Sequence, residues 1–179
     1  MGKNVLAISS SLRAHSNSDT LLDSFIEGAE SAGNHAEKIS LKGKSIAFCR
    51  GCNACQTLGK CVINDDAIEI AKKMEQADVI VFATPIYYYE MCGQLKTLID
   101  RVNSLYASNY KFRDIYVVST AAEDEDYVDE RAVNGICGWI DCFERARLAG
   151  KVFAGGVTDA GEIAGHPALK EAFDMGARV

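Results

Sequence analysis

The chain has 179 residues, 48% hydrophobic and 25% charged, which suits one domain with a substantial buried core. Its net charge of −6 excludes the basic face that nucleic acid or an anionic membrane requires, and no apolar run approaches the roughly 20 residues of a membrane span. The N-terminus reads as a strand and not as a leader, so the expected address is cytoplasmic. There, seven cysteines are ligands, redox groups or core residues before they are a disulfide frame.

Residues 4–8 are an apolar run and read as a first strand, while Leu21, Leu22, Phe25, Ile26 and Ala29 recur at helical spacing up to Gly33. Between them runs Ser-Ser-Ser-Leu-Arg-Ala-His-Ser-Asn-Ser, residues 9–18. A polar loop there wraps the helix N-terminus, where unpaired N–H groups and the positive end of the dipole favour a dianion. Ser9, Ser10, Ser11, Ser16, Ser18 and Asn17 offer further donors, and Arg13 a planar fork matched to phosphate oxygens. The plainer reading is that Ser16 or Ser18 only caps the helix. Without glycines the loop matches neither the P-loop nor the dinucleotide fingerprint, which points to a monophosphate.

Residues 35–41 alternate as a second strand. Residues 44–64 have no period and hold Cys49, Cys52, Cys55 and Cys61, a connection long enough to imply function. Asp66 with Glu69 resembles a capping box before a helix that buries Ile70, Ala71 and Met74. Residues 78–83 read as a central strand, and residues 84–90, Thr-Pro-Ile-Tyr-Tyr-Tyr-Glu, as the loop leaving it. A third helix is predicted at about residues 92–105, a strand at 114–120, a helix at 127–148, a glycine-weakened strand at 150–157 and a last helix opened by Pro167. The pattern is α/β: a flavodoxin-like doubly wound five-stranded parallel sheet, order 2-1-3-4-5, with helices on both faces, over residues 1–179 as a single domain. In that order the crevice lies at the carboxyl ends of the first and third strands.

Pro85, Ile86 and Tyr87, Tyr88 and Tyr89 present flat surfaces for a planar aromatic ligand, or serve as core or subunit contacts. Ser119, Thr120, Ala121 and Ala122 approach the same ring from the next strand. A monophosphate joined to a flat ring is FMN. At this point the chain resembles the flavodoxin-like NAD(P)H-dependent FMN reductases, and within them the iron–sulfur flavoproteins. Residues 10–18 match the phosphate motif, with Ser10 where the family has Gly, and residues 84–96 with Ile99, Asp100 and Arg101 match the second motif. The resemblance implies FMN phosphate at Ser11, Arg13, Asn17 and Ser18, and the isoalloxazine at Pro85, Ile86, Tyr87 and Tyr88. The Cβ of Ser10 is expected to narrow the approach of the phosphate. No protein acid, base or nucleophile is required, because the flavin carries the chemistry.

Two functions follow. As an enzyme, the chain takes hydride from NAD(P)H, which stacks on the open flavin face, and passes it to a quinone, free flavin or other acceptor. As a carrier, it shuttles electrons between protein partners. The tyrosine-rich loop suggests a dimer or tetramer. The spacing Cys49-x2-Cys52-x2-Cys55-x5-Cys61 is compatible with a [4Fe–4S] cluster, zinc or free thiols, and the resemblance favours the cluster.

Overall fold

The computed structural model describes residues 2–179. Five parallel strands, β1 (Asn4–Ser9), β2 (His35–Ser40), β3 (Val79–Tyr87), β5 (Asp114–Thr120) and β6 (Arg147–Ala154), lie in the order β2-β1-β3-β5-β6, and the two-residue β4 (Glu90–Met91) pairs antiparallel with β3. This is the expected doubly wound order, with one short strand added. Helices α1 (Asn17–Ser31) and α6 (Pro167–Gly176) cover one face; α3 (Ala67–Gln76), α4 (Gly93–Arg101) and α5 (Glu130–Ile140) cover the other. The central strand β3 is buried from Val79 to Thr84, as an uninterrupted apolar run between two helical layers must be.

Local chemistry explains the boundaries. Helix α1 ends because Gly33 adopts a positive φ of 84° and the Asn34 N–H donates to the Ala29 carbonyl, a C-terminal closure that glycine adopts without a Cβ penalty. The predicted loop at residues 84–90 is in fact an extension of β3 and a two-residue hairpin. Register runs from Val79–Asp114 to Pro85–Thr120 with β5, while Tyr87 pairs with Glu90 across Tyr88 and Tyr89, whose φ values are 51° and 66°. Two left-handed residues in that position match the twist of a hairpin, and side chains other than Gly, Asn or Asp adopt it under strain.

Three further expectations change. The third helix stops at Arg101 and continues as a 3-10 turn (Asn103–Ala107), and α5 stops at Ile140, so β6 begins at Arg147 and ends at Ala154. The capping box does not form: Asp66 accepts from the Ser45 N–H and pairs with Lys44, and Asp65 receives the Ala67 N–H instead. The cysteine segment contains a five-residue helix, α2 (Ala54–Leu58), bounded by Asn53 and Gly59 at positive φ. Its period was too short to register. No helix among the described residues is long and apolar enough to cross a membrane.

Candidate functional site

At the carboxyl edge of the sheet the connections after β1, β3 and β5 enclose a cleft of about 180 Å3. Ser11, Arg13, Ser16, Asn17 and Ser18 form one wall, Pro85, Ile86 and Tyr87 a second, and Thr120, Ala121 and Ala122 a third. Sequence reasoning named all of these. It missed Val157 and Thr158, which close the cleft from the connection between β6 and α6. The signal was the Gly155-Gly156 pair ending the strand, because every carboxyl-end connection of a parallel sheet opens on the same edge.

Ser16 both caps and lines. Its hydroxyl accepts from the Asp19 N–H at 3.2 Å, while the N–H groups of the first helical turn have no carbonyl of their own helix to reach. Ser18 Oγ is buried without a hydrogen-bond partner, an arrangement that normally destabilises a fold and that a ligand oxygen would relieve. Arg13 donates to the Thr158 carbonyl at 2.7 Å. The Asn17 amide is committed to the fold, donating to the Asp159 carbonyl at 2.9 Å and accepting from the Ile163 N–H at 3.2 Å. An orphan hydroxyl, a guanidinium and a helix N-terminus around one cleft make an anion cradle.

The remaining predicted contacts lie outside the cleft wall. Ser9 is inside β1, paired with Ser40 and Ala83. The Ser10 hydroxyl turns inward, donating to the Ala83 carbonyl at 2.6 Å with Cys92 Sγ 3.1 Å away. The hydroxyl thus ties the end of β1 to β3. Ser119 donates to Asp129 at 3.1 Å, and Asp129, fully buried, pairs with Lys151 at 2.7 Å. Tyr88 is 97% exposed at the hairpin tip. Tyr89 stacks on Tyr127 with centroids 6.3 Å apart and lies under Arg131, and a hydrogen bond to Glu123 pushes its phenol above the ordinary value. His15 and His35 are exposed, and His166 caps α6 through Nδ1.

The four loop cysteines sit in different environments. Cys49 is exposed on the wall of a separate cavity of about 550 Å3 that also carries Cys142, and Cys52 is exposed. Cys55 is buried on α2 with the Asn103 amide 3.4 Å from its sulfur. Cys61 lies against Arg101, whose guanidinium Asp65 pushes up, against burial and with a smaller contribution from Cys61. Among the described residues no three His, Cys, Asp or Glu side chains gather as a metal-holding group. Both ends of the loop are pinned by Arg101, which binds Asp65 through two nitrogens at 2.6 and 2.8 Å and donates to the carbonyls of Ala47 and Ile63.

Comparison with known proteins identifies the family. The family model described as NADPH-dependent FMN reductase matches residues 3–126. An iron–sulfur flavoprotein of Archaeoglobus fulgidus is 35% identical over 97 residues, 54% of this chain and 44% of its own. Another of Methanosarcina thermophila is 27% identical over 172 residues, 96% of this chain and 87% of its own. The chain spans about half the length of the first of these. Among solved structures, an NAD(P)H:quinone oxidoreductase from Methanothermobacter marburgensis superposes with a TM-score of 0.75 at 17% identity, over 99% of this chain and 97% of that one. An FMN-dependent NADH-azoreductase from Bacillus anthracis in complex with FMN reaches 0.71 at 17% identity, over 98% of each. These two show the fold. With the family model covering more than two thirds of its length, the chain belongs to the NADPH-dependent FMN reductase family.

Proposed function

We propose that the cleft binds one FMN and that the protein passes hydride or electrons from NAD(P)H to an acceptor such as a quinone or free flavin. The observation that carries this reading is the buried, unpartnered Ser18 hydroxyl at the start of α1, beside Arg13 and Ser16 on one cleft wall. A phosphate there meets a donor that the fold itself leaves unused. Ser11, Arg13, Ser16, Ser18 and the first-turn N–H groups would hold the phosphate, with Asn17 supplying its backbone. Pro85, Ile86 and Tyr87 would bear against the ring, and Thr120, Ala121 and Ala122 would meet its edge. Bound FMN supplies the redox chemistry; the protein orients it and keeps water from one face. The test is titration of flavin-free protein with FMN and FAD, followed by NAD(P)H consumption with quinone and one-electron acceptors. One FMN per chain, no FAD and turnover with quinone are expected; binding of neither flavin would refute the reading.

A second reading, an electron carrier between protein partners, draws support from the exposed acidic stretch Glu123, Asp124, Glu125 and Asp126, which directly follows the cleft residue Ala122 and could guide a basic partner. It is distinguished by reduction of one-electron acceptors without NAD(P)H turnover. The curated relatives named iron–sulfur flavoproteins support an iron–sulfur centre, for which the closely spaced Cys49, Cys52, Cys55 and Cys61 would supply the thiolates of a [4Fe–4S] cluster. Iron and acid-labile sulfide in an anaerobic preparation, lost in Cys49→Ala and Cys61→Ala, would establish it. Seven unpaired cysteines accord with a reducing, cytoplasmic address.

A further inference from the structure

The connection between β6 and α6 is stitched to the anion cradle at four points that the flavin reading does not use. Its Thr158 carbonyl accepts from Arg13 at 2.7 Å, its Asp159 carbonyl accepts from the Asn17 amide at 2.9 Å, and its Ile163 N–H donates to the Asn17 side-chain oxygen at 3.2 Å. The fourth point is Thr158 itself, which stands in the cleft wall beside Arg13. A side chain of the connection itself also orders it. A single carboxylate oxygen of Glu162, Oε2, receives the N–H groups of Thr158 at 2.6 Å and Asp159 at 2.9 Å, and these two donors hold its carboxyl below the ordinary carboxylate range. Glu162 lies outside the cleft wall. The Asp159 N–H shares a peptide group with the Thr158 carbonyl, so Glu162 sets the direction of the carbonyl to which Arg13 donates.

We infer that Glu162 is a positioning residue for phosphate recognition: by fixing the peptide group that joins Thr158 to Asp159 it aims the Arg13 guanidinium at the phosphate, and so sets the preference for FMN over the same ring and ribityl chain without phosphate. The inference rests on the proposed FMN site and adds to it a dependence on a residue that touches no ligand. Its sign is distinctive. A carboxylate near a phosphate repels it, so charge alone predicts that removing Glu162 tightens FMN. Positioning predicts that it weakens FMN, because a guanidinium freed to wander loses the orientation its fork requires.

The experiment measures the dissociation constants of FMN and riboflavin for flavin-free wild type, Glu162→Ala and Glu162→Gln, by fluorescence titration at fixed salt. In Glu162→Ala the FMN constant should rise about tenfold, of the order of one lost charge-assisted hydrogen bond. Riboflavin should stay within about twofold, which also reports that the ring site is folded. Glu162→Gln retains one oxygen able to accept both N–H groups and should restore most of the preference. A Glu162→Ala protein that keeps the wild-type ratio, weakens both ligands alike or binds FMN more tightly overturns the inference while leaving the FMN site standing. A wild type that binds neither flavin, or does not distinguish them, overturns the site and the inference together.

Discussion

Ser18 separates two demands that usually coincide. A buried hydroxyl without a partner costs about 1–3 kcal/mol, so Ser18→Ala should stabilise flavin-free protein, raising its melting temperature by about 2 °C or more, while weakening FMN. Calorimetry with and without FMN reads both signs; a variant that loses apo stability would mean that Ser18 serves the fold and not the ligand. The hairpin tip holds a related tension. Tyr88 and Tyr89 both sit at positive φ, yet only Tyr89 is held by neighbours, Tyr127 and Arg131.

Two close contacts between elements carry the largest expected costs of substitution. Where α1 crosses α6, a Cβ on Gly28 would lie 2.0 Å from the Phe173 carbonyl oxygen and one on Gly176 would lie 2.0 Å from that of Phe25, so the helices touch backbone to backbone. Gly28→Ala should cost about 3 kcal/mol, at the upper end of overpacking. Gly138→Ala on α5, where nothing lies within 4 Å, should instead gain about 0.5–1 kcal/mol from helix propensity. Urea denaturation checks the opposite signs, and a Gly28 variant as stable as wild type would refute the close crossing. The Arg101–Asp65 pair, with side chains 0% and 9% exposed, pins the ends of the cysteine loop, and breaking a buried pair costs about 3–5 kcal/mol. Burial pushes the Asp65 carboxyl up, but Arg101 and the N–H groups of Ala47 and Ala67 outweigh it and hold it below the ordinary range. A depressed folded-state value gives stability that is full above the unfolded value, about 3.9, and is lost as pH falls through the folded one. Asp65→Asn should therefore be less stable at pH 7, and its deficit should shrink below about pH 4. A deficit independent of pH would remove Asp65 from the acid response.

For the whole molecule, the exposed Tyr87, Tyr88, Phe48 and Leu12 suit burial against a second copy. Sedimentation at micromolar concentration should give at least about twice the 19.4 kDa chain mass; a monomer would refute this. Much of the fold was legible in advance, since hydrophobic period, caps and turn residues are local properties, and right-handed crossovers leave few ways to order five such strands. The sequence alone therefore determined the strand order, and it singled out the eleven residues from Ser11 to Ala122 that line three cleft walls. What it left open depends on residues far apart in the chain. Ser10 turns inward because Ala83 and Cys92 lie beside it, 73 and 82 residues on. Residues 84 and 85 extend β3 because β5 runs alongside to Thr120, and residues 86 and 87 because β4 folds back on them. Thr158 reaches the cleft because Arg13, 145 residues earlier, donates to its carbonyl and the neighbouring Val157 N–H donates to the Ala121 carbonyl. The four loop cysteines, close in sequence, sit in different settings: Cys55 on α2 beside Asn103, Cys61 against Arg101, and Cys49 and Cys52 exposed. Spacing along a chain constrains direction only where the backbone repeats, and in a connection without a period, packing decides it.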